Sequence, residues 1–202
     1  MALFNQTKTV AQSPAAKYAS ARSNLLIAIA FTLANIILLV VDADLYFLFS
    51  AYLPYTLVLY MKVFCGMMPD EYYEGVEMEF LPESAFYVSL AIAAVILIVY
   101  FICWIFSNKN RYGFLIAALV LFAIDTVIMI LNFDPSSFDI YTVIDVAFHA
   151  WVIYILVVGV MAGVSISKAP VTEVKAEFIP EAAAPEAPEA KLNGENADIS
   201  EK

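Results

Sequence analysis

Three ionisable side chains stand inside apolar stretches of this 202-residue chain: Asp125, Asp145 and His149, the last being its single histidine. Asn35 is a neutral polar companion in another such stretch. Charge is costly to place in hydrocarbon, so such groups raise a functional hypothesis by default. A carboxylate–imidazole–carboxylate cluster can carry protons, because histidine titrates near neutral pH. The same groups offer one nitrogen and two oxygens to a metal, or polar atoms to a ligand. The alternative is that they satisfy one another and fix helix register, at about 0.6–2 kcal/mol per interhelical pair.

Spacing brings these residues to a common layer. Asp145 and His149 are four apart and share one helix face. The stretches holding Asp125 and His149 are joined by only about eight residues, which makes them antiparallel neighbours. That pairing sets position 125 level with 149 and position 129 level with 145. At 1.5 Å per residue, Asn35, Asp125 and His149 all lie roughly 10–12 Å below the same boundary of the apolar layer. Asp145 lies one turn shallower.

Composition and run length show which helices carry these residues. The chain is 63% hydrophobic and 15% charged, against about 45–50% and 25% in soluble domains. That excludes an ordinary soluble globular protein. Four proline-free apolar runs, 24–41, 85–106, 113–132 and 141–164, are long enough to cross about 30 Å of hydrocarbon. A span must satisfy its own backbone, so each is a helix. The first run is too long for a typical signal-peptide core and lacks a good cleavage site, so it reads as an uncleaved anchor.

A fifth stretch, 45–68, is apolar but is interrupted by Pro54 and Lys62. It is dense in rings that favour the headgroup level: Tyr46, Phe47, Phe49, Tyr52, Tyr55, Tyr60 and Phe64. It reads as a bent interfacial or re-entrant helical segment in the first outer loop. With four spans, nine of the ten bases fall on one side and only Lys62 on the other. The positive-inside rule then puts both termini in the cytoplasm. The expected organisation is an N-terminal segment 1–23, a membrane domain 24–167 and a disordered cytoplasmic tail 168–202 rich in Ala, Pro and Glu.

The outer side is acidic. Asp42, Asp44, Asp70, Glu71, Glu74, Glu77, Glu79 and Glu83 fall in the first loop, Asp134 and Asp139 in the second. They could attract cations or a basic partner, or form a solvated loop; the spacing matches no EF-hand. The net charge of −10 argues against a nucleic-acid partner. Cys65 and Cys103 fall on opposite sides, so they cannot pair.

Small residues mark close helix contacts: Gly159 and Gly163, Gly113 and Ala117, and Ala85, Ser89 and Ala93. For the GxxxG, a contact inside the bundle is favoured over a dimer seam. Trp151 falls near mid-bilayer, where its indole N–H needs a partner, which favours an inward orientation. No P-loop, HExxH, GxSxG, Rossmann or haem motif is present. No nucleophile has a base at matched depth, so an enzyme is disfavoured, and neither a cofactor nor a resident metal is expected.

Several blocks carry a resemblance. They are Arg22-Ser23-Asn24-Leu25-Leu26 with Phe31-Thr32 and Asn35-Ile36; Tyr46-Phe47-Leu48-Phe49-Ser50-Ala51 with Pro54-Tyr55; Pro69-Asp70-Glu71-Tyr72-Tyr73; Ile124-Asp125-Thr126; and Asp145 with Phe148-His149-Ala150-Trp151. Together, over roughly 20–165, the chain resembles an uncharacterised family of small multi-pass membrane proteins from Gram-positive bacteria. The resemblance implies a bacterial plasma membrane and brings no activity with it.

The expected fold is an all-α integral membrane protein, four transmembrane helices in a bundle with the interfacial or re-entrant segment in the first outer loop. The leading function is a binding or accessory protein of the cell envelope, with the lipid bilayer and another membrane protein as partners. The alternative is a small-solute or proton-coupled transporter using the layer Asn35, Asp125, Asp145 and His149. A transporter needs polar groups continuing inward, and the sequence offers few: Thr32, Tyr100 and Tyr154.

Overall fold

The structure is a computed structural model that describes residues 12–43, 45, 47, 50–75, 77–133 and 140–169. The tail from 170 onward, residues 1–11, and the second-loop acids Asp134 and Asp139 lie outside the described residues. Among the described residues the regular elements are all helical. They are α1 (Pro14–Val40), α2 (Tyr52–Phe64), a 3₁₀ turn (Asp70–Tyr73), α3 (Ser84–Phe106), α4 (Tyr112–Leu131) and α5 (Ile140–Lys168). Four of these, α1, α3, α4 and α5, are long and apolar enough to cross a membrane. The protein is thus an all-helical membrane bundle, with α2 as the extra segment between the first two spans.

Helix α1 begins ten residues before the apolar run. Ser13 caps it, accepting from the Ala16 amide at 3.2 Å, and Pro14 takes the first helical position, where a missing N–H costs nothing. The extra turns continue a buried stripe of Tyr18, Ala21 and Leu25, which packs on α5. Gly159 and Gly163 permit that approach. A Cβ on Gly159 would collide with the Ala21 methyl, and one on Gly163 would sit 2.6 Å from Cβ of Tyr112 and 2.9 Å from the Tyr18 ring. The GxxxG is therefore an internal seam. Gly113 and Ala117 are not a seam: both are exposed, and a Cβ on Gly113 would meet nothing within 4 Å.

The outer faces are apolar, as helices in lipid require. On α3 they carry Val88, Ile92, Val95 and Ile98, and on α4 Val120, Ile124 and Val127. Trp151 belongs to this surface, 49% exposed. Its expected inward orientation is overturned by the periodicity of α5, whose buried face runs through Phe148, His149, Val152, Leu156 and Ala162. Tyr154 also faces out. The cysteines are free, Cys65 just after α2 and Cys103 near the far end of α3.

Candidate functional site

The polar layer is built around the backbone of the segment leading into α2. Thr32 and Asn35 are three apart on one buried face of α1. Asn35 clamps Phe47: its Nδ2 donates to the Phe47 carbonyl and its Oδ1 accepts from the Phe47 amide, both at 2.7 Å. Thr32 Oγ1 donates to the Ala28 carbonyl and accepts from the Ala51 amide, again both at 2.7 Å. Phe47 is thus tied five residues below the end of α1 and Ala51 eight, about 7 and 12 Å down the helix. Ala51 therefore lies deeper along α1 than Phe47, and α2 starts from that depth.

Asp125 on α4 receives the start of α2. Its Oδ1 accepts from the Leu53 amide at 2.7 Å and its Oδ2 from the Tyr52 amide at 3.0 Å. A helix begins with four amides that lack an intrahelical acceptor. Here they belong to Ala51, Tyr52, Leu53 and Pro54. Thr32 serves the first, Asp125 serves the next two, and proline has no N–H to serve. Ala51, the N-cap residue, has no capping side chain of its own, so two other helices cap α2 for it. A carboxylate is well suited to that end, where the helix dipole is positive.

His149 on α5 completes the layer. Its Nδ1 lies 2.8 Å from the Asp145 carbonyl, and its Nε2 lies 3.2 Å from Oδ2 of Asp125. A carbonyl only accepts, so Nδ1 carries a hydrogen. The Nε2–Oδ2 contact also needs a proton between its two atoms. The imidazole stacks on Phe122, with centroids 5.1 Å apart and planes at 27°, and meets Phe148 edge-on. Asp125 and His149 are 2% and 1% exposed.

The far end of α2 is fastened too. Gly66 (φ +69) closes the helix in a Schellman motif: the Met67 amide donates to the Lys62 carbonyl and the Gly66 amide to that of Val63. Tyr73 Oη donates to the same Val63 carbonyl at 2.9 Å, and the Leu81 amide donates to the Phe64 carbonyl. Lys62 is buried; its ammonium donates to the Leu39 carbonyl at 2.7 Å and pairs with Asp42. In the sequence Lys62 reads as an interruption of 45–68 and as the one base on the outer side. Its place in the last turn of a helix, where a cation suits the dipole and free carbonyls, was the available signal.

Of the four expected site residues, Asn35, Asp125 and His149 converge on one buried layer. Asp145 meets the imidazole through its backbone carbonyl. Thr32 joins them as a member of the layer. Below it, Leu25, Thr32, Ala51, Leu97, Tyr100 and Phe122 surround a void of about 10 Å³, room for one water at most. Further along, Leu25, Leu115 and Leu156 are fully buried. No group of three or more metal-ligating side chains is found among the described residues.

Comparison with family models, with curated proteins and with solved structures finds no match to this chain.

Proposed function

We propose that this chain is a non-catalytic accessory or binding protein of the bacterial plasma membrane. Both termini lie on the cytoplasmic side in this reading, and the acidic first loop faces outward as the surface offered to a partner. It is also the reading that fits the resemblance to small multi-pass proteins of Gram-positive bacteria.

One observation carries the proposal. The hydrogen-bonding capacity of the polar layer is spent on the backbone of the segment entering α2. Irregular backbone at membrane depth is tolerated only where protein or water satisfies it, and Thr32, Asn35 and Asp125 do so here. A proton or solute path would need polar groups continuing beyond His149. Of the candidates, Thr32 is engaged on Ala51, Tyr154 faces outward, and the space near Tyr100 holds at most one water.

The layer then acts as a scaffold. It holds α2 rigid, and α2 carries the strapped loop with Asp70, Glu71 and Glu74 into solvent. The test has two arms. Proteoliposomes of the purified protein are expected to show no proton flux above protein-free vesicles; a flux abolished by His149→Ala would overturn the proposal. In cells, a photo-crosslinker at Tyr72 is expected to give a discrete adduct with an envelope protein, whereas one at lipid-facing Val95 gives none. Adducts of equal yield at both positions would also count against it.

A further inference from the structure

The opposite end of the bundle carries a second feature that the polar layer does not explain. Among the described residues, five of the six bases gather there: Lys17, Arg22, Lys109, Arg111 and Lys168, with no acid among them. Between the start of α1, the α3–α4 turn and the end of α5 lies a groove of about 660 Å³. Its walls include Tyr18, Ala19, Arg22, Asn108, Lys109 and Ser167.

Arg22 is built into this groove. Its Nε donates to Ser107 Oγ at 2.9 Å and one Nη to the Trp104 carbonyl at 3.3 Å, while the guanidinium sits 5.7 Å over the Trp104 ring. Those bonds use two of its five N–H groups and leave three donors. Tyr18 Oη fixes the turn by donating to the Ser107 carbonyl at 2.6 Å. Lys109 is held at φ +54, a conformation costly for a side chain with a Cβ.

Depth narrows what the groove could hold. Counting about 20 residues, or 30 Å, back from the end of α1 reaches position 21. Arg22 and Lys109 therefore stand at the membrane boundary, where phospholipid headgroups lie. Basic pockets between transmembrane helices at that level bind anionic headgroups, and a fixed guanidinium matches the geometry of a phosphate. We infer that this groove binds the headgroup of an anionic glycerophospholipid, with its phosphate between Arg22 and Lys109 and its acyl chains on the apolar faces beside them. The inference requires only that the bundle spans a membrane and does not depend on a partner for the outer loop.

The test uses the full-length chain in nanodiscs of equal phosphatidylglycerol and phosphatidylcholine, with retained lipid read by native mass spectrometry. The expected result is preferential retention of phosphatidylglycerol, by about fivefold for each basic side chain engaged. Lys109→Gly removes a charge and suits the positive φ, so the variant should fold and lose about fivefold of the preference. Ala19→Glu sets a like charge in the groove and should abolish it. Ser20→Glu, the same charge change on the far face of α1, should leave it intact. Equal retention of both lipids by the wild-type chain overturns the inference, as does an equal loss in Ala19→Glu and Ser20→Glu. Displacement of the lipid by excess inorganic phosphate would assign the groove to a soluble anion instead, and would overturn it too.

Discussion

The two ends of α2 are secured by different chemistry. At the deep end the partners come from other helices: Thr32 of α1, Asp125 of α4 and, behind it, His149 of α5, while Asn35 of α1 holds Phe47 ahead of the helix. At the shallow end they come mostly from nearby sequence: Gly66, Tyr73, Leu81 and Lys62, with Leu39 and Asp42 across from them. Water can stand in for a lost bond at the shallow end, where Asp42 is 68% exposed. It cannot do so readily at the deep end, where the groups are sealed. Equal numbers of hydrogen bonds should therefore differ in their effect on stability.

Mutations rank the two ends. Asp125→Ala should have the largest effect, about 3–5 kcal/mol, because it strands two amides and the imidazole in a buried site. Thermal unfolding in detergent reads this as a loss of the folded state at room temperature or a large fall in Tm. Asn35→Ala should cost about 2 kcal/mol by baring the Phe47 amide and carbonyl, and limited proteolysis should then cut between 43 and 51. Lys62→Met keeps the buried stem and removes the ammonium; about 1–1.5 kcal/mol is expected, since the exposed partner Asp42 contributes little. Tyr73→Phe should be mildest, about 0.5–1 kcal/mol, with the Val63 carbonyl still served by Gly66. A reversed order, with Lys62→Met worse than Asp125→Ala, would mean that burial does not set the difference between the two ends.

A double-mutant cycle isolates the contact behind the deep end. His149→Ala and Asp125→Asn should each destabilise the protein, and together they should cost less than their sum by about 0.5–2 kcal/mol. Strict additivity would mean that the 3.2 Å contact contributes nothing.

Much of this was legible in the residues. The lengths of the apolar runs gave four spans, and the short link between the last two set Asp125 level with His149, where they meet. Pro54 and Lys62 correctly marked 45–68 as something other than a span. What the sequence could not show was the purpose of the polar layer. Asn35, Thr32 and Asp125 bond to main-chain atoms, and backbone partners leave no trace in side-chain identity. Side-chain identity alone pairs polar side chains with one another. Asp145 illustrates the same limit: the imidazole meets its carbonyl, a group every residue has. Trp151 differs for another reason: the helical period of α5 turns it outward, and that outweighs its need for an N–H partner.

If Asp125 caps α2, its loss should show in hydrogen–deuterium exchange of Asp125→Asn against wild type in the same detergent. Two amides would lose a carboxylate acceptor while α4 keeps its own ladder. Exchange at Tyr52 and Leu53 should be at least about tenfold faster in the variant, the equivalent of about 1.4 kcal/mol of lost protection, with a smaller acceleration in the interior of α4. Unchanged exchange at Tyr52 and Leu53, or equal acceleration throughout α4, would contradict that capping role.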